Sequence, residues 1–196
     1  MAEVSFESVE CLSQADFAQW VEARAGWDLN HYELLNGRIV MTPPAGYPHG
    51  RVGSRLGRIL DTFVSGRNLG EVLDSSQGYD LPSGDTVEPD ASFISTARME
   101  AGPAPETGKF LRVVPNLVVE TLSPTTSSRD RGEKKAIYER NGVDEYWLVD
   151  WRACRITRFL LRDGRYDAGT RFEAGAVCES AVLAGLAFPV DEVFRK

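Results

Sequence analysis

Leu117-Val118-Val119-Glu120 is an uninterrupted apolar run that ends on a carboxylate. Such a run is the pattern of a strand covered on both faces, so the chain must supply a layer on each side of a sheet. Ser123-Pro124 then opens a helical pattern that runs to Asn141-Gly142, a C-cap signal by composition. Glu145 to Asp150 reads as another strand. A strand, a helix and a strand in immediate succession predict a crossover, expected to be right-handed, between two parallel strands.

Around this unit the other elements fall into place. Ser13-Gln14-Ala15-Asp16 has capping-box spacing, and Phe17, Trp20, Val21 and Arg24 follow at helical intervals up to Gly26. Asn36-Gly37, between the β-prone runs that start at His31 and end at Met41, predicts a hairpin with a type I′ turn. Pro43 to Pro48 reads as a loop. Val52, Leu56, Ile59, Leu60 and Phe63 mark one face of an amphipathic helix, with Arg51, Arg55 and Arg58 on the adjoining face and Gly66 and Gly70 ending it. Glu71 to Tyr79, Thr86 to Ser95, Arg112 to Leu122 and Ile156 to Leu161 read as strands. Residues 96 to 111 read as an exposed loop, and the tail as short elements. With 196 residues, one domain over 1–196 is expected.

Charge narrows the function classes. The net charge of -7 argues against an evenly basic nucleic-acid coat, but residues 51–67 and 121–171 each carry +3 while 68–120 carry -6. A local basic face is therefore compatible with the total. Cys11, Cys154 and Cys178 are odd in number and lack CxxC spacing, so they predict reduced, mostly packed thiols rather than disulfides or zinc ligands. The N-terminal stretch lacks a basic and apolar leader and no apolar run reaches membrane-spanning length, so no membrane association and a cytoplasmic location are expected.

Two carboxylates border apolar strands. Glu120 abuts the buried run, where an ionised acid costs several kcal/mol unless it is paired, protonated or ligating. Asp90 follows Glu88-Pro89 and precedes Ala91-Ser92-Phe93-Ile94; Pro89 suggests a strand end that leaves Asp90 at the opening of the ladder. Two such acids suit Mg²⁺, a hard cation that prefers oxygen ligands and keeps several waters. Lys134, about 12 Å along the following helix at ~1.5 Å per residue, is level with Glu120 if the helix runs back along the strand. The plainer alternatives are a solvated Asp90, and a surface Lys134 paired with Asp130 at i,i+4. Glu33 reads most simply as a solvent-facing residue of an alternating strand. His49 reads as a helix-start residue which, beside such a site, would contact phosphate or water. Gly102 to Phe110 has the wrong spacing for a phosphate loop, and no hydrolase elbow or zinc spacing accompanies His31 and His49.

Tyr32-Glu-Leu-Leu-Asn-Gly, Pro89-Asp90, Pro115 to Pro124, Arg129-Asp-Arg-Gly-Glu-Lys134 with Tyr138, and Gly142 to Asp150 together resemble the Uma-type restriction endonuclease family, collinear over about Leu12 to Phe194. That family is placed in the PD-(D/E)xK nuclease superfamily. The resemblance implies a restriction endonuclease-like α/β (mixed α+β) core, a mixed β-sheet flanked by helices, with an N-terminal helix and β-hairpin. It implies that Asp90 and Glu120 are the motif acids and metal ligands. Leu122 stands where the superfamily lysine is expected. The resemblance points to Lys134 in its stead, with Lys135 as the fallback, and raises Glu33 to an additional candidate.

The resulting expectation is a Mg²⁺-dependent endonuclease, with Mn²⁺ as a substitute, acting on double-stranded DNA as a homodimer. Arg51, Arg55, Arg58, Arg129 and Arg131 are the candidate phosphate contacts. The rival is a catalytically degenerate nuclease fold that binds nucleic acid or protein without cutting.

Overall fold

A computed structural model describes residues 6–8, 10–24 and 30–195. In chain order the elements are β1 (Phe6–Glu7), α1 (Gln14–Glu22), β2 (His31–Leu35), β3 (Arg38–Thr42), α2 (His49–Ser65), β4 (Gly70–Asp74), β5 (Tyr79–Asp80), β6 (Thr86–Val87), β7 (Ala91–Ser95) and α3 (Thr96–Ala101). There follow β8 (Leu117–Thr121), α4 (Ser127–Arg129), a π-helical turn (Asp130–Lys134), α5 (Lys135–Arg140), β9 (Glu145–Asp150), β10 (Arg155–Arg162), β11 (Arg165–Tyr166), β12 (Thr170–Phe172), β13 (Val177–Glu179), β14 (Ala187–Pro189) and α6 (Val190–Phe194). The larger sheet has the order β11-β10-β9-β8-β7-β4, with β12 also on β10; the smaller has β1-β3-β2-β6-β5. β8 and β9 are parallel and their other neighbours antiparallel, so the predicted crossover is present within a mixed sheet.

Alternation along the central strands assigns the two layers. Ala91, Phe93, Leu117, Val119, Trp147 and Val149 pack against Val52, Leu56, Leu60 and Phe63 of α2. Ile94, Val118, Tyr146 and Leu148 pack on the opposite face with Ile137 and Tyr138. Successive strand residues point to opposite faces, so Glu120 shares the face of Val118 and meets the helical segment 127–140. Trp147 and Tyr146 are strand packing, one in each layer.

Local signals explain several boundaries. Ser13 caps α1 and Asp16 returns the bond, completing the capping box; Gly26, expected to end this helix, lies outside the described residues. Asn36 and Gly37 both have positive φ, 50° and 80°, as a type I′ turn requires. The hairpin is held from outside by Asp85, whose carboxylate accepts the Asn36 N–H at 2.7 Å and also bonds Ser83 and Arg140. Asp85 is 1% exposed. Asp85→Ala is therefore expected to cost about 2–3 kcal/mol, because it removes a buried charged acceptor that the Asn36 N–H, Ser83 and Arg140 share. Urea denaturation should show a lower midpoint at an unchanged slope; an unchanged midpoint contradicts this role.

Four expectations need correction. Residues 96–101 are helical rather than loop, because the Ser95 hydroxyl accepts from Arg98 N at 3.2 Å; the helix buries no residue and so has no apolar signature. The run 71–79 breaks after Asp74, whose Oδ1 accepts from Ser76 N at 3.0 Å and closes a turn. The run 86–95 breaks at Glu88-Pro89-Asp90, where the chain leaves the smaller sheet at β6 and enters the larger at β7. Proline cannot donate to either ladder, and the break carries Asp90 to the junction of the sheets. Cys11 is exposed rather than packed, whereas Cys178 is buried and all three thiols are free.

Candidate active site

The ends of β7 and β8, the start of α2 and the π-helical turn surround a cleft of about 990 Å³. Its wall includes Glu33, Glu88, Asp90, Glu120, Asp130 and Lys134. Lys134 Nζ lies 2.5 Å from Glu120 Oε1 and 2.8 Å from Glu33 Oε1, and Lys134 is 3% exposed. The Tyr138 hydroxyl donates to the same Glu120 oxygen at 2.6 Å. Asp130, Lys134 and Tyr138 recur at intervals of four, which places them on one side of the helical segment, facing β8. One strand away, Asp90 Oδ2 accepts the Thr121 N–H at 2.6 Å, and His49 Nε2 lies 3.3 Å from that oxygen and 2.8 Å from the Thr121 carbonyl. Glu33 Oε1 also accepts the Glu88 N–H at 2.9 Å, and His31 Nδ1 sits 2.9 Å from Glu88 Oε2.

The cleft has more acids than cations, and proton affinities reflect it. Burial pushes Glu120 well above the ordinary carboxylate range; Lys134 opposes this, while Asp130, Asp90 and Glu33 add to it. Burial also pushes Asp130 up to about 6, and Glu88 upward. For Lys134, burial works against the charge but is outweighed by Glu120, Glu33 and Asp130, so the ammonium is held above its usual value. The same balance raises His49: burial opposes its charge, and the bond and charge of Asp90 prevail.

The structure thus brings Asp90, Glu120, Lys134, Glu33 and His49 to one cleft. Lys134 is no surface partner of Asp130, and Glu33 is 6% exposed rather than solvent-facing, because β2 turns it inward to meet Lys134. Lys135 points elsewhere, with Nζ 3.9 Å from the Phe159 ring centroid. Leu122 is buried in the core on the Glu120 side of the sheet, so the amine beside Glu120 comes from the helical segment. Among the five arginines, Arg58 and Arg129 line the cleft. Arg55 donates to the carbonyls of Val193 and Arg195, Arg51 covers the Tyr47 ring at 5.1 Å, and Arg131 bonds Asp150 at 3.2 Å. Sequence reasoning missed Asp130, Glu88 and His31 as cleft residues and named Tyr138 only within the motif that carries the family resemblance. The recurrence at four was the one signal that pointed to Asp130 and Tyr138; nothing local marks Glu88 or His31.

A mixed sheet between helices, with its cleft at the strand ends, defines the class as α/β. A crystal structure titled as a putative nuclease belonging to DUF820, from Anabaena variabilis, matches it with a TM-score of 0.77 at 16% identity, over 93% of this chain and 97% of that one. That likeness is one of fold. Residues 15–191 match the Uma2 family, described as "Putative restriction endonuclease", and the chain belongs to that family. An uncharacterized protein of Synechocystis, slr1290, is 25% identical over 94% of this chain and 92% of its own length. Among the described residues no helix is long and apolar enough to cross a membrane.

Proposed function

We propose that the protein is a Mg²⁺-dependent endonuclease that hydrolyses phosphodiester bonds in DNA, as a homodimer whose two sites address the two strands. The observation that carries this reading is the buried Lys134 ammonium against Glu120, one strand from an Asp90 oriented by the Thr121 N–H. Mg²⁺ fits the donors: they are oxygens, and the surplus of acids over cations is what a divalent ion offsets. Among the described residues no three of His, Cys, Asp and Glu close into a ready-made cage. An ion here would therefore be held by one or two carboxylates and otherwise by water. Asp90 and Glu120 would hold it. When bound, such an ion lowers the pKa of a water and offsets phosphate charge.

The chain's own groups do the rest. Thr121 N–H and His49 orient Asp90 through Oδ2, while Tyr138 and Lys134 orient Glu120 through Oε1. Lys134 places a fixed positive charge beside the reacting phosphate, where charge builds in the transition state. Arg58 and Arg129 hold the backbone without reading sequence. The lysine has moved from the strand to the helix in this arrangement, and Leu122 fills the position it vacated.

One observation favours the rival binding module: Lys134 is engaged by two glutamates, as in a structural ion pair. Plasmid DNA separates the two readings. Wild type should nick or linearise it with Mg²⁺ or Mn²⁺ and not with EDTA, and Asp90→Ala and Glu120→Ala should abolish cutting. Intact plasmid with wild type, or variants that cut as well as wild type, defeats the nuclease reading; retention of DNA without cutting supports the binding module.

A further inference from the structure

Asp130 is the acid of this cleft whose surroundings the proposed chemistry leaves unexplained. It is 2% exposed, lines the cleft, and its Oδ2 is buried with no hydrogen-bond partner. A buried carboxylate oxygen without a partner is costly, and native structures retain one where a ligand or water supplies the bond. The backbone around it is firmly set: its N–H donates to Thr126 O at 2.9 Å and its carbonyl accepts the Tyr146 hydroxyl at 3.0 Å. It also begins the π-helical turn Asp130–Lys134, a local widening that is frequent at functional positions. Lys134 and the Thr126 hydroxyl favour its charged form while Asp90, Glu33 and Glu120 oppose it, yet Oδ2 keeps no hydrogen-bond partner of its own.

Among the described residues the cleft acids do not close into a direct three-ligand cage, so Asp130 is not assigned as a direct ligand. Magnesium keeps several of its waters, and those waters are donors only. We propose that Asp130 is a positioning residue for the divalent ion, its free oxygen accepting a hydrogen bond from a water on an ion held by Asp90 and Glu120. The inference rests on the metal-dependent reading above and adds an outer partner to it. Such partners orient the ligands and typically change metal affinity 10–100-fold when removed.

The test is calorimetric titration of the DNA-free protein with Mn²⁺, with melting of the metal-free protein alongside. Asp130→Asn keeps the size and shape of the side chain and removes its charge. Its Mn²⁺ affinity should fall about 10–100-fold, while its metal-free melting temperature stays level or rises, since a buried like charge is gone. A purely structural aspartate predicts the reverse, a lower melting temperature with unchanged affinity, and that result overturns the proposal. Asp130→Ala, which leaves room for water, is the second variant should the amide misfold; unchanged affinity there also overturns it. Wild type that takes up no Mn²⁺ defeats the metal-dependent reading itself, whereas wild-type binding with equal binding by both variants defeats the Asp130 inference alone.

Discussion

Lys134→Met should lower DNA cleavage by about 100-fold or more and also destabilise the protein by about 3–5 kcal/mol at neutral pH. Both effects have one source. Lys134 Nζ is held between Glu33 and Glu120 in a site where Lys134 is 3% exposed, so its removal leaves two buried carboxylates facing each other. Methionine fills the aliphatic volume and supplies no charge. The stability deficit should depend on pH with a definite sign. Glu120 already has a folded pKa raised by burial, and without Lys134 it rises further. A raised acid penalises the folded state above its folded pKa and not below its unfolded value near 4.5. The gap between variant and wild type should therefore shrink as pH falls toward 4.5. Urea denaturation at several pH values checks this; a gap below about 1 kcal/mol at neutral pH contradicts a tightly coupled buried pair, and a gap that widens on acidification contradicts the linkage.

Glu145→Ala should be comparably destabilising and yet leave the chemistry alone. Glu145 begins β9 and is 0% exposed. Its Oε1 accepts the Trp147 indole N–H at 2.5 Å, and its Oε2 accepts Ser180 Oγ at 3.0 Å and the N–H groups of Ala181 and Val182, each at 2.8 Å. One carboxylate thus ties the tail to the central sheet. Its loss strands two buried donors, the Trp147 indole and the Ser180 hydroxyl, and frees two part-buried N–H groups, and at about 1–3 kcal/mol for each unsatisfied buried group a total near 4 kcal/mol is expected. Glu145→Gln, with one acceptor oxygen in place of two, should fall between. Because Glu145 is no part of the cleft wall, cleavage measured well below the variant's melting temperature should match wild type. A loss of cleavage in the folded variant would show that the tail and the cleft are coupled.

These two acids show how far local pattern reaches. Glu120 announces itself by ending an apolar run. Glu145 also sits in a strand of apolar neighbours, yet nothing local distinguishes the acid that faces the cleft from the acid that fastens the tail. The distinction depends on residues 35 to 37 positions away, Ser180 to Val182, and on the helical face that covers β8. The same limit applied to the arginines: helical spacing put Arg51, Arg55 and Arg58 on one side of α2, but α6 and the C-terminal carbonyls claim Arg55, and Arg58 alone of the three lines the cleft.

By itself the sequence determined what is encoded within a few residues. Asn36-Gly37 adopts positive φ at little cost and makes the hairpin, Ser13 and Asp16 cap α1, and the run 117–120 demands a strand covered on both faces. It also placed Asp90 at the opening of a strand and Glu120 at the end of the apolar run. Only the tertiary structure decided between Lys134 and Lys135, turned Glu33 inward and left an oxygen of Asp130 without a partner. The reason is geometric: neighbouring residues on a helix diverge by about 100°, so which lysine enters the cleft depends on what the helix packs against. In this chain it packs against β8, and the field inside the cleft is set by acids drawn from β2, the Glu88–Asp90 junction, β8 and the π-helical turn.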